Sequence, residues 1–96
     1  MPRQTAVQFS PVGKQIEVVR KRRNIALTKL APLAKLNYSQ LYRIMHGFSK
    51  PSPESLLRIC RALCCTQEEA AEIYAETPFR APSLEELEEE VGSRAA

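Results

Sequence analysis

Apolar residues recur at helical spacing along most of this chain, and capping residues divide the pattern into short segments. The clearest pair of segments lies between Asn24 and Ser52. The first segment has Leu and Ala at its repeating positions. The second begins after Asn37, a good helix N-cap, and ends at Gly47. The pattern therefore predicts two short amphipathic helices joined by a tight turn, which is a helix-turn-helix.

Local signals bound each predicted helix. Ser10-Pro11 and Ser52-Pro53 pair a capping hydroxyl with a proline at the first helical position. Thr66 and Ser83 each precede a Glu by three residues, which is the capping-box pattern. The sequence shows no strand-like alternation, so the predicted fold class is all-α. The predicted helices are helix 1 at 11–23, helix 2 at 27–35, helix 3 at 38–46, helix 4 after residue 52, helix 5 at 67–76 and a short sixth helix after residue 83.

Charge is distributed unevenly, although the net charge is only +3. Residues 1–61 hold twelve Lys or Arg against two Glu, a formal charge of +10, and residues 62–96 hold two Arg against nine Glu, a formal charge of −7. The basic part contains the helix-turn-helix, a motif that lays its second helix in the DNA major groove. Because positive charge attracts phosphate, double-stranded DNA is the predicted partner.

Composition narrows the functional classes. Ninety-six residues suit one small domain. The chain has one His, no Asp and no glycine-rich phosphate loop, so we predict neither an enzyme nor a bound cofactor. Apolar runs are too short for a membrane span, and residues 1–14 lack a signal-peptide apolar segment, so we expect a cytoplasmic protein. The predicted organisation is a flexible arm at 1–9, a DNA-binding domain at 10–77 and an acidic tail with a short helix at 78–96.

The register of these signals resembles the lambda-repressor-like, Cro/C1-type helix-turn-helix family, also called the XRE family. The similarity extends from about Val12 to Ala75. The resemblance implies a five-helix domain, to which this chain adds a short C-terminal helix. The matching residues are, in chain order, Ile16, Val19, Arg20, Ile25, Leu30, Ala31, Leu41, Ile44, Gly47, Lys50, Pro51, Ser52, Leu56, Ile59, Ala62 and Leu63.

The same resemblance implies a sequence-specific transcriptional regulator. A single helix 3 spans too few base pairs for high specificity, and the family uses two copies on half-sites about one helical turn apart. We therefore expect a homodimer on a palindromic operator. We favour repression over activation because the predicted surface of helix 2, with Lys29 and Lys35, has no acidic patch that would contact polymerase.

Three departures from the family pattern carry expectations. Lys35 stands in the turn, where the family usually has a small residue, so the turn must accommodate a side chain. Pro32 lies inside helix 2 and should bend the helix or delay its start by about one residue. Met45 replaces the glutamate that usually pairs with the helix 1 arginine. Arg20 is therefore expected to turn to Glu54, to phosphate or to solvent.

Helix 3 is predicted to read the DNA sequence. With Leu41 and Ile44 facing the core, Arg43 is placed to contact a guanine edge at two atoms, and tyrosine rings suit thymine methyl groups. His46 is explained equally well as an ordinary surface residue. The predicted base-reading residues are Tyr38, Ser39, Tyr42 and Arg43. The predicted phosphate contacts are Lys14, Lys21, Arg22, Arg23, Thr28, Lys29, Ser49 and Lys50, together with backbone amides near the start of helix 2.

Two further interpretations remain open. Cys60, Cys64 and Cys65 have a spacing that suits a metal or thiol sensor, but two of them match core positions, so we predict no metal site and an exposed Cys64. The acidic tail also suits a protein partner, as in an antitoxin or adaptor. Its apolar stripe is too short to be a stable helix alone, so it should dock on its own domain or, as the favoured alternative, on a second subunit. The candidate dimer or partner contacts are Leu84, Leu87 and Val91.

Overall fold

The computed structural model describes residues 8–88. Within that range the chain is helical and contains no strand, which confirms the predicted all-α class. A sixth helical segment, here called the tail helix, begins at residue 84 and is described to residue 88. The five complete helices are α1 (Pro11–Arg23), α2 (Leu27–Leu33), α3 (Tyr38–His46), α4 (Pro53–Ala62) and α5 (Gln67–Tyr74).

Side-chain caps begin four of the five helices where the sequence predicted them. The Ser10 hydroxyl accepts from the Gly13 amide, and the Ser52 hydroxyl accepts from the Ser55 amide. Asn37 and Thr66 form complete capping boxes. These bonds satisfy amides that have no partner inside the helix, so each cap sets where its helix begins. The predicted bounds of α1 and α3 are confirmed, and Asn24 ends α1 in a left-handed conformation (φ 58°).

Two helices end two residues before their predicted ends. α2 stops at Leu33 because Lys35 adopts a left-handed conformation (φ 60°) and turns the chain toward α3. α5 stops at Tyr74, whose carbonyl oxygen accepts from both the amide and the hydroxyl of Thr77. Of the two effects expected of Pro32, a bend or a delayed start, the delay does not occur, and α2 begins at its predicted first residue, Leu27. Pro32 lies in the last turn of the helix.

The core gathers one apolar face from every helix. Its fully buried side chains come from all five helices, and α2 of the helix-turn-helix contacts α4, so the motif and the supporting helices share one core. Leu87 of the tail helix is also buried in this core, and Phe79 and Ala81 pack against it. The largest fully buried side chains are Ile16, Leu30, Leu41, Met45, Leu56, Ile59, Cys60, Leu63 and Ile73.

The beginning of α1 is joined to the end of α3 by a close crossing. The amide of Ser10 donates to the carbonyl oxygen of Met45 (2.8 Å), and its hydroxyl donates to the same oxygen (3.1 Å) and to that of Ile44 (3.3 Å). Gly13 packs directly on this carbonyl, because a Cβ built on Gly13 would overlap Met45 O and lie 2.8 Å from Met45 C. Gly47 ends α3 in the left-handed conformation (φ 82°), as its position predicted. The crossing fixes where α3 lies relative to the rest of the domain.

Candidate DNA interface

The turn between α2 and α3 is short and tightly bonded. Lys35 supplies its left-handed residue, and the Leu36 amide returns to the carbonyl oxygen of Ala31 (2.9 Å). Leu36 is buried and Lys35 is exposed, so the turn accommodates the lysine by directing it to solvent. Gln40 closes the capping box by accepting from the Asn37 amide (3.1 Å). The Gln40 side chain is therefore engaged in holding the start of α3.

α3 divides cleanly into an inner and an outer face. Leu41, Ile44 and Met45 are buried, as an apolar stripe at helical spacing requires. The four residues predicted to read bases are on the outer side, where three are exposed and Tyr42 is half-buried. The structure thus brings the four together on one solvent-facing surface. These residues are Tyr38, Ser39, Tyr42 and Arg43.

Arg43 differs from every other arginine of α1–α4. Its guanidinium makes no hydrogen bond or ion pair within residues 8–88, and the residue is exposed. The others are engaged: Arg58, for example, pairs with Glu54 at 2.6 Å, and Arg61 donates to the carbonyl oxygen of Glu86 at 2.7 Å. An unpaired guanidinium retains all five of its N–H donors for a ligand. On this criterion, Arg43 is the arginine of α1–α4 best placed to bind an external acceptor.

An aromatic stripe runs along the outer face of α3, formed by Tyr38, Tyr42 and His46 at intervals of four residues. Ring centroids are 6.3 Å apart for the tyrosine pair and 4.2 Å apart for Tyr42 and His46. Phe9 stacks on His46 at 4.9 Å, and His46 Nδ1 donates to the carbonyl oxygen of Gln8 (3.0 Å). His46 is thus a half-buried support of the stripe, which the sequence pattern alone did not distinguish from a surface residue. The described end of the predicted arm is held against α3.

A family model for the Cro/C1-type HTH DNA-binding domain matches residues 15–76. The chain belongs to the Cro/C1-type helix-turn-helix family. Searches of the curated proteins and of the solved structures returned no match. Membership identifies α2 and α3 as the helix-turn-helix of a DNA-binding domain. Within residues 8–88, no helix combines the length and apolar character that crossing a membrane requires.

The residues predicted to contact phosphate differ in whether their side chains have a partner inside the domain. Five of the predicted phosphate-binding residues are exposed and have no side-chain partner within residues 8–88. The amide of Lys29, however, donates to the carbonyl oxygen of Ala26 (2.9 Å), so this backbone group is engaged within the helix. Lys21 has a highly exposed side chain that lies 3.9 Å from Glu17. The five unpartnered residues are Lys14, Thr28, Lys29, Ser49 and Lys50.

Arg22 and Arg23 make contacts inside the domain that the sequence did not predict. Both donate to Glu69 of α5, Arg22 at 3.0 Å, and Arg23 also donates to the carbonyl oxygen of Cys64 (3.1 Å). Burial alone would raise the pKa of Glu69. The hydrogen bonds from the Thr66 amide and from the two arginines outweigh that effect, so the pKa is lowered. Glu69 was predicted only as a capping-box residue, and no local signal connects it with α1.

Arg20 pairs within the domain with a residue that was not among the partners predicted for it. It donates to Glu17 and to the carbonyl oxygen of Ile25 (2.8 Å), whereas Glu54 is engaged by Arg58. The hydrogen bond with Arg20 lowers the pKa of Glu17, and the same bond raises the pKa of Arg20. The pairing of Arg20 with Glu17 has a local explanation. Glu17 precedes Arg20 by three residues on one helix, so the two side chains are neighbours on its surface.

The three cysteines are free and differ in exposure. Cys60 and Cys65 are buried, and their mutual hydrogen bond, followed by burial, raises the pKa of the Cys60 thiol. Cys64 is exposed in a left-handed conformation (φ 54°), in agreement with its predicted exposure. Within residues 8–88, no three His, Cys or Glu side chains form a group that could hold a metal ion. Cys60 and Cys65 therefore serve as small apolar core residues.

The tail helix docks on its own domain through Leu87. This side chain is only 8% exposed and belongs to the core, while Arg61 donates through two guanidinium nitrogens to the carbonyl oxygen of Glu86 (2.7 and 3.1 Å). The predicted capping box of Ser83 and Glu86 is present. Leu84 remains 47% exposed, and Val91 lies outside the described residues. Leu87 is thus buried within its own chain. Of the described residues of the tail's apolar stripe, Leu84 is the one that a partner can reach.

Proposed function

We propose that this protein is a transcriptional repressor that binds a palindromic operator as a homodimer. Arg43 is the observation that carries the proposal, because its exposed guanidinium has no partner within residues 8–88 and lies on the outer face of α3. A guanidinium matches the O6 and N7 acceptors of guanine with two parallel hydrogen bonds, which is the commonest specific contact in the major groove. Tyr38, Ser39 and Tyr42 complete the base-reading surface on the same face.

Basic and hydroxyl side chains around α3 are proposed to hold the DNA backbone. Lys14, Lys29 and Lys50 are exposed and unpaired within the described residues, so binding phosphate breaks no internal ion pair. Thr28, Ser49 and Lys21 extend this surface. Arg22 and Arg23 share the single carboxylate of Glu69, so one positive charge of the pair remains uncompensated and is available for long-range attraction to phosphate.

We infer the homodimer from the short length of α3, and the repressor role from the charge of α2. α3 has nine residues and spans about 13 Å, which reaches only a few base pairs, so specific binding requires a second copy on a neighbouring half-site. α2 contains one lysine and no acidic residue, and so it offers no acidic patch to polymerase. A promoter reporter carrying the bound sequence tests this role: transcription should fall when the protein is expressed, and a rise would identify an activator.

Replacing Arg43 with alanine is expected to weaken specific DNA binding by about 1–3 kcal/mol and to relax the preference at one base pair of each half-site. The operator for this test is first enriched from a random 30-base-pair duplex library, in which the homodimer predicts an inverted repeat. Affinities of the wild type and the variant are then compared on the enriched site and on each single-base change. Failure to enrich any common sequence would contradict the proposed function.

Two variants distinguish base recognition by Arg43 from a general effect of its positive charge. Arg43→Lys retains the charge but loses the planar pair of donors, so it should recover little of the lost specificity. Arg58→Ala removes an arginine of the same charge from α4, where it pairs with Glu54, and should leave base preference unchanged. An Arg43→Ala effect of equal size on every sequence would instead make Arg43 a phosphate contact.

Leu84 is proposed to lie at the dimer contact of the tail. Replacing it with serine is expected to shift the monomer–dimer equilibrium toward monomer, because an apolar side chain that is 47% exposed on the free subunit would lose its partner. Sedimentation at matched concentrations measures the shift, with Glu85→Ala as the exposed neighbouring control. A Leu84→Ser protein that dimerises as tightly as the wild type would place the dimer contact on another surface.

A further inference from the structure

The outer face of α3 is unusually apolar for a surface that meets base edges. Along the helix axis the aromatic stripe carries rings at three successive turns, and Phe48 extends it beyond the helix with its ring 6.3 Å from His46. Tyr38 is 47% exposed and Phe48 is 73% exposed, although neither side chain contributes to the core. The hydroxyls of Tyr38 and Tyr42 make no hydrogen bond within residues 8–88. The two tyrosine rings are therefore held by ring packing and not by hydrogen bonds of their hydroxyls.

Contacts behind the stripe hold its rings in place. His46 is fixed by stacking on Phe9 and by its bond to the Gln8 carbonyl oxygen, and Tyr42 packs on His46 at 4.2 Å. Tyrosine has only two side-chain torsions to immobilise, so a ring already packed on one side loses little entropy when it binds. The stripe is a preorganised apolar ridge. Its length from Tyr38 to His46 is about 12 Å, which covers three to four base-pair steps.

Only one apolar group is presented by base edges in the major groove, and it is the C5 methyl of thymine. We propose that Tyr38 and Tyr42 read thymine methyl groups, so that each half-site carries thymine at the positions facing these two rings. The proposal rests on the proposed DNA-binding function and specifies its ligand. The charge around the stripe favours DNA over a protein partner, because Arg43 and Lys50 beside it are exposed and unpaired within the described residues.

Hydrogen bonds from Arg43 and apolar contacts of the tyrosine rings select different bases. Arg43 supplies hydrogen-bond donors that select guanine, whereas the tyrosine rings have an apolar edge that gains from a methyl group and gains nothing from cytosine. Ser39, one residue from Tyr38, is small and exposed, so it leaves space for a base to approach the ring. The stripe therefore adds specificity that hydrogen-bond matching alone does not provide.

Replacing thymine with deoxyuracil tests the proposal directly, since the two bases differ in the major groove only by the methyl group. The probe is the duplex enriched from the random library, resynthesised with uracil at one thymine at a time. At one or two positions in each half-site, uracil should weaken binding by about fourfold, the loss expected for one methyl buried against an apolar surface. Equal binding of the thymine and uracil duplexes at every position, with the enriched site still bound specifically, would overturn this inference alone.

Tyrosine variants assign the methyl contact to the rings. Tyr38→Phe and Tyr42→Phe retain the ring and remove only a hydroxyl that has no internal partner, so they should fold normally and retain the thymine-to-uracil ratio. Tyr38→Ala should bring the ratio close to one at a single position, while Arg58→Ala, which changes a residue of α4 paired with Glu54, should leave the ratio unchanged. Loss of the ratio in a phenylalanine variant would show that the hydroxyl reads the base, which contradicts the proposal. Failure of the library to yield any enriched site would instead contradict DNA recognition itself.

Discussion

Replacing Gly13 with alanine is expected to destabilise the domain by about 3 kcal/mol or more, at the upper end of the cost of overpacking. Alanine is the better helix former by about 1 kcal/mol, so local propensity alone favours the variant. Tertiary packing decides otherwise, because the new Cβ would overlap the carbonyl oxygen of Met45. That oxygen belongs to the backbone of α3 and cannot rotate away, so α1 and α3 must separate. The bonds from Ser10 to Ile44 and Met45 would be strained as well.

Thermal unfolding followed by circular dichroism measures this effect. For a domain of this size, the expected loss lowers the melting temperature by roughly 10 °C or more. Lys14→Ala is the matched control, since Lys14 is the next residue of α1 and is exposed. A Gly13→Ala protein that melts within a few degrees of the wild type would show that the two helices can move apart without cost.

Replacing Glu69 with alanine is expected to cost about 2–4 kcal/mol of stability, because it leaves polar partners of a nearly buried group unpaired. Glu69 is 8% exposed and accepts from Arg22, Arg23 and the Thr66 amide. Its loss removes the ion pairs between α1 and α5 and half of the α5 capping box. The partial exposure of Arg22 reduces the effect below that of a fully buried pair. Glu68→Ala, at the exposed neighbouring position, should change stability by only a few tenths of a kcal/mol.

The pH dependence of stability gives the ionic part of this contribution. The pKa of Glu69 is lowered in the folded protein, so its stabilisation is fully present above the pKa of the unfolded chain and is lost as pH falls through the folded value. Glu17 has a lowered pKa as well and acts in the same direction. Unfolding at a series of pH values from 7 to 3 should show wild-type stability falling below about pH 5, with a shallower fall in Glu69→Gln. Parallel curves for the two proteins would show that the charge of Glu69 contributes nothing.

Local signals were sufficient to predict the elements. Asn37 begins α3 and Gly47 ends it. Each acts on backbone groups only a few residues away, so the sequence of this short segment is enough to predict both ends of the helix. The outward position of Tyr38 and Arg43 also follows from the sequence. The apolar residues of α3 recur at helical spacing and must face inward, which leaves the other positions of the helix facing outward. The helix-turn-helix, the family and the candidate reading face were therefore predictable without coordinates. The ends of α2 and α5 were predicted two residues too late, because each helix ends in a turn whose geometry depends on the segment that follows it.

Partner choice over long distances in the chain was decided by the tertiary structure. Glu69 accepts from Arg22 and Arg23, which are 47 and 46 residues away in the chain, and this pairing distinguishes them from the unpaired Arg43. Gly13 is required by the carbonyl of Met45, and Leu87 is buried in the core, although the sequence pattern favoured a second subunit. Such contacts depend on how helices cross, and a crossing is set by the packing of the whole core. Residue spacing along one helix contains no information about which distant side chain will meet it.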